Sequence, residues 1–145
     1  MPITAPTNLL LLVGAALSFI AALLHFACLF WGAEGFRVLG AGNDIVRLSQ
    51  ARHWYPPLIA FALGAVLTVW AAYALAAGGF ITPLPFLRLV LVAITGIYLL
   101  RAVAFPFLKR FFPDNSTKFW LVSSGLCLLI GVVHLLGLMQ VWERI

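Results

Sequence analysis

From Leu9 to Trp31 the chain carries no Asp, Glu, Lys or Arg, and the same holds from Trp54 to Ala77. A bilayer's hydrocarbon core is about 30 Å thick, a depth that a helix of about 20 residues crosses at about 1.5 Å per residue. Both stretches reach that length. Leu84–Leu108 and Lys118–Trp142 reach it too, with only Arg88, Arg101 and Lys118 as charged members. Of the 145 residues 64% are hydrophobic and 9% charged, too few polar side chains to cover a soluble core. The expected fold class is therefore an all-α membrane protein: a four-transmembrane-helix antiparallel bundle with a short interfacial helix in the first cytoplasmic loop. A single integral membrane domain is expected over residues 1–145, with spans at about 9–31, 54–77, 84–108 and 118–142.

The first span does not read as a signal peptide, because no Lys or Arg precedes it, its apolar run is too long, and no small-x-small site follows cleanly. The residues before Cys28, His25-Phe26-Ala27, do not suit a lipoprotein signal. Orientation follows from the basic residues, which favour the cytoplasmic side in short loops. Arg37, Arg47, Arg52, Arg101, Lys109, Arg110 and Lys118 lie at the first and third connections, whereas only Arg88 and Arg144 lie toward the other side. A multi-pass protein of a bacterial cytoplasmic (inner) membrane with both termini outside is the resulting expectation. The net charge of +5 is assigned to this topology and to anionic headgroups of the membrane lipids, not to nucleic acid. Cys28 and Cys127 both fall inside spans and read as small packing residues.

The outer connection, Gly78-Gly79-Phe80-Ile81-Thr82-Pro83, is short and rich in turn formers, which predicts an antiparallel pair of helices around it. Pro113-Asp114-Asn115-Ser116-Thr117 supplies caps for the last span. Its Asn115-Ser116-Thr117 fits the glycosylation pattern but is expected on the cytoplasmic side, where that pattern is not used. In the first connection, Asn43 or Asp44 caps an interfacial helix through His53, with Ile45, Val46 and Leu48 on its apolar side. The glycine-rich segment before it is expected to be a flexible hinge or turn-rich loop. Trp31, Trp54, Tyr55 and Trp120 are expected in the inner aromatic belt, and Trp142 at the outer boundary.

Small and polar residues line narrow seams. Steps of four and three give Gly14, Ser18, Ala21, His25, Cys28 and Gly32 in the first span, and Ser124, Cys127, Gly131, His134 and Leu138 in the last. Ala60, Gly64, Thr68, Ala72 and Ala76 recur every four residues in the second, a ladder that favours close packing in lipid. Thr95, Tyr98 and Arg101 form the bulkier polar side of the third. At about 1.5 Å per residue, His25, Arg101, Ser123 and Ser124 lie about 8–11 Å from the inner boundary. Ser18, Thr68, Thr95 and His134 lie deeper, at about 20–24 Å, as a second polar layer. His25 is expected to face inward and bond to the last helix.

Ionisable groups at membrane depth often mark function. The candidate inner pocket comprises His25, Arg101 and Ser124, with Glu34 and His53 near its mouth. Arg101 suits an anionic headgroup or carboxylate, or else extends its stem to the inner phosphates. One haem shared by His25 and His134 is not expected, because their heights differ by about 14 Å. A metal bound by His25, Cys28 and Cys127 lacks a fourth ligand, so no metal and no cofactor are expected. No nucleophile sits beside a base and no phosphate-binding glycine loop occurs. The expected role is non-enzymatic: a lipid- or amphiphile-binding or complex-associated membrane subunit, alone with lipids, as a homo-oligomer, or within a larger membrane complex. The alternative is a membrane enzyme or proton-linked transporter using the His25 and Arg101 pocket.

Overall fold

The computed structural model describes residues 6–145. Every regular element among them is a helix: α1 (Leu9–Trp31), α2 (Ala33–Val38), α3 (Asn43–Gln50), α4 (Tyr55–Ala77), α5 (Leu87–Val103), α6 (Phe105–Leu108) and α7 (Thr117–Val141). Three of them, α1, α4 and α7, are long and apolar enough to cross a membrane. Their outward faces carry exposed Phe19, Leu23, Phe61, Val69, Leu128 and Leu136, which water would not tolerate as a continuous surface.

α1 packs along α4 and α5 along α7, while contacts of α1 with α7 and of α4 with α5 join the two pairs. Small residues permit these approaches. A Cβ on Gly64 of α4 would come within 2.5 Å of the Phe26 ring on α1, and one on Gly131 of α7 within 2.8 Å of Leu99 on α5. The small-residue ladder expected on α4 is only partly the packed face. Ala60, Gly64 and Ala76 are buried, and Ala71 and Ala74 beside the row are buried too, but Thr68 and Ala72 are half-buried. Four residues turn a helix by about 400°, so a strict four-residue row drifts about 40° per step away from its partner.

The third expected span, Leu84–Leu108, is not one helix. Phe86 adopts a left-handed conformation (φ 54°, ψ 30°), and α5 starts only at Leu87. It ends at Val103, where Pro106 cannot donate to the carbonyl four residues back and its ring crowds that carbonyl. The chain resumes as the short α6. The segment expected to be a flexible hinge before the interfacial helix also differs, because it contains α2. Phe36 of α2 is buried with Cys28, Val46 and Ala60, so an apolar cluster holds this segment against α1, α3 and α4.

α3 matches the interfacial helix in place but ends at Gln50, three residues before His53. Its Val46 is buried, Ile45 and Leu48 are half-buried, and Arg47 and Gln50 are exposed, as its apolar side requires. Gly42, not Asn43 or Asp44, takes the N-cap position. The α6–α7 connection and the first turn of α7 close over this unit: Phe119 of α7 fills the space where a side chain at Gly40 (φ +69°) would stand, and Asn115 Nδ2 of the connection donates to the Gly40 carbonyl at 2.9 Å. Ser116 caps α7, accepting from the Phe119 amide at 3.1 Å.

The opposite end is tied by Asn8. Its Oδ1 accepts from the Leu11 amide at 2.9 Å, its Nδ2 donates to Gln140 Oε1 at 2.7 Å, and its backbone amide donates to the Gly78 carbonyl at 2.9 Å. One side chain thereby caps α1 while the same residue reaches the ends of α4 and α7. Arg88 at the start of α5 lies over the Trp142 ring at 4.8 Å and donates to the Trp142 carbonyl at 2.9 Å.

Candidate polar sites between the helices

Arg101 sits in the last turn of α5, facing the first turns of α7. Its Nη2 donates to Ser123 Oγ at 2.8 Å and its Nη1 to Ser124 Oγ at 3.3 Å. The guanidinium carbon stands 5.2 Å from the centroid of Trp120, a cation–π contact. Arg101 and Ser124 are thus brought together as the sequence predicts. Trp120, expected in the aromatic belt, is instead 3% exposed and packed between Arg101, Phe112 and Phe119. Its indole N–H has no acceptor among the described residues.

The remaining members of the expected inner pocket go elsewhere. His25 is half-buried, and its Nδ1–H donates at 2.8 Å to the Ala21 carbonyl of its own helix, so the expected bond to the last helix is not the one this nitrogen makes. The carbonyl one turn back on its own helix lies within reach of the His25 ring, and here it supplies the partner. Glu34 is exposed and pairs with Arg37. His53 is exposed, stacks on Trp54 at 5.4 Å and accepts from the Tyr55 amide at 3.2 Å, where it finishes the start of α4.

The second polar layer is more compact. His134 of α7 is fully buried, its Nδ1–H donating to the Ile130 carbonyl at 2.9 Å. That bond fixes the neutral tautomer with the lone pair on Nε2, and Nε2 has no partner among the described residues. The ring lies against Gly14 of α1, where a Cβ would stand 2.8 Å from Cε1, and 5.4 Å from the Tyr98 ring of α5. Tyr98 shares a 2.9 Å hydrogen bond with Ser18 of α1 and meets Trp70 of α4 edge-on at 5.2 Å. The Thr95 and Thr68 hydroxyls donate at 2.8 Å to the Leu91 and Gly64 carbonyls of their own helices, and make no cross-helix bond among the described residues.

Cys28 is buried and Cys127 half-buried, both as free thiols, with the Cys28 thiol directed at the Leu24 carbonyl. No group of three or more His, Cys, Asp or Glu side chains converges among the described residues. A polar concavity of about 440 Å³ lies on the surface of α2 and α3 and is lined by Arg37, Asp44, Arg47 and Asp114 among others. Its two arginines already face acids, Glu34 for Arg37 and Asp44 for Arg47. Comparison with protein-family models, curated proteins and solved structures finds no match.

Proposed function

We propose that the chain is a four-transmembrane-helix antiparallel bundle whose role is non-enzymatic, as a lipid- or amphiphile-binding or complex-associated subunit of a bacterial inner membrane. α5 supplies the fourth crossing. Its 17 residues rise about 26 Å, slightly less than the core, and α6 with the approach from Leu84 lengthens the path. The outer face of α5 carries Leu89, Val92, Ile97, Leu100 and Val103, all exposed and apolar, as a lipid-facing helix requires. The excess of Lys and Arg at the α1–α4 and α5–α7 connections supports an orientation with those loops in the cytoplasm and both termini outside.

The observation that carries the binding role is the state of Arg101. Among the described residues the salt bridges are Glu34–Arg37 and Asp44–Arg47, so no carboxylate neutralises the Arg101 guanidinium. A permanent cation held by two hydroxyls and an aromatic face near the inner boundary favours a negatively charged amphiphile. Native mass spectrometry of the protein released from native-lipid nanodiscs tests this reading. A reproducible added mass that falls in Arg101→Gln supports it. An empty species found only as a homo-oligomer or with another membrane protein contradicts ligand binding and leaves the complex-associated role.

The second reading, a membrane enzyme or proton-linked transporter, now draws on His134, whose unpartnered Nε2 lies beside the Tyr98–Ser18 pair. It predicts that proteoliposomes dissipate an imposed proton gradient and that His134→Gln stops the flux.

A further inference from the structure

The inner end of α7 gathers hydrogen-bond donors without matching acceptors. Arg101 carries five N–H groups in a planar fork, and the hydrogen bonds found use one from each terminal nitrogen. Ser123 and Ser124 accept those bonds, which leaves their own hydroxyl protons free to be donated. The Trp120 indole N–H, a group that can only donate, is buried in the ring that Arg101 covers and has no acceptor among the described residues. A buried donor without an acceptor is costly to leave unmade, so a bound acceptor here is favoured. Between Arg101 and Trp120 the chain adds Lys109, Arg110 and Lys118 against the single acid Asp114.

A partner for this set must be anionic, acceptor-only and rich in oxygens. A carboxylate has two oxygens, which the Arg101 fork alone can occupy. A phosphate has further oxygens to offer the indole and the serine hydroxyls at the same time. We infer that Arg101, Trp120, Ser123 and Ser124 form a phosphate-binding site at the inner end of the α5–α7 seam. The inference rests on the lipid- or amphiphile-binding role proposed above and specifies its ligand as a phosphate-bearing anion. Phe112 and Phe119 pack against the indole, with ring centroids at 6.4 Å and 5.6 Å.

The test uses the full chain labelled with ¹⁵N-tryptophan in phosphatidylcholine nanodiscs, with the Trp120 indole signal assigned by Trp120→Phe. Phosphatidic acid is introduced into the discs, and inorganic phosphate is titrated separately. The Trp120 N–H signal is expected to move while the other four tryptophans stay in place. Arg101→Gln is expected to weaken the response at least about tenfold, the scale of losing a charge-assisted hydrogen bond. A response to phosphatidic acid alone identifies a lipid headgroup, and a response to inorganic phosphate as well identifies the free anion as sufficient; both support the site. A Trp120 signal unmoved by either overturns it. If retained lipid mass still depends on Arg101 in that case, the proposed role survives and only the phosphate assignment falls. Should Arg101→Gln fail to fold, Trp120→Phe decides, because it keeps an aromatic face and removes the donor: unchanged retention of phosphatidic acid by that variant overturns the inference.

Discussion

The His134 imidazole occupies the volume that a side chain at position 14 would need, so the two residues are fixed as a pair across α1 and α7. Gly14→Ala is expected to destabilise the protein by about 1–3 kcal/mol, the scale of overpacking a filled interior. Gly96→Ala on the open side of α5, where nothing lies within 4 Å, is expected to gain up to about 1 kcal/mol from helix propensity. Thermal unfolding of the two variants in detergent micelles checks the opposite signs. Ser18→Ala and Tyr98→Phe should each cost about 0.6 kcal/mol, and the double variant no more than either one, because both remove the same hydrogen bond. Unfolding in mixed micelles with increasing SDS measures that cycle. Ser18 and His134 were legible in the sequence because each recurs on a three- and four-residue seam. Tyr98 was placed on the polar side of its helix but not in their layer, because counting residues locates a Cα and a tyrosine hydroxyl lies a full ring away from it. His25 shows the converse: its seam was legible, but its bonding partner was not, since a carbonyl on its own helix competes with any neighbour.

At the scale of elements, the interruption between α5 and α6 has one chemical cause, the proline at 106. Pro106→Ala restores the missing N–H and removes the ring, so α5 and α6 should fuse and amide hydrogen exchange at Ala104–Phe107 should slow markedly. Unchanged exchange there would assign the break to tertiary packing. Asn8→Ala removes the side-chain cap of α1 together with the bond to Gln140, and should cost about 1–2 kcal/mol in the same unfolding assay. The long helices α1, α4 and α7 were legible to within a residue at each end because uninterrupted apolar runs leave no competing signal. α5 was not, although Pro83, Pro85 and Pro106 stood in the sequence, because its apolar composition continues through all three prolines. α2 was missed for the opposite reason. Six residues between glycines carry too little periodicity to register, and burial of Phe36 against Cys28, Val46 and Ala60 is what orders them.

At the scale of the molecule, the seam between α5 and α7 holds Arg101 with its serines at one level and Tyr98 with His134 at another, while α2, α3 and α6 gather at the Arg101 end. Placing that end at the inner leaflet depends on α5 crossing the membrane, and so does the proposed encounter of Arg101 with an inner-leaflet anion. The most direct measurement is the labelling of single cysteines at Thr82 and Asp114, which flank α5 and α6, with a membrane-impermeant maleimide in a Cys28→Ala, Cys127→Ala background. If α5 crosses, Thr82→Cys reacts in intact spheroplasts and Asp114→Cys only after they are permeabilised. Labelling of both from the same side would mean that α5 does not cross, and would contradict the four-span bundle and the inner site built on it.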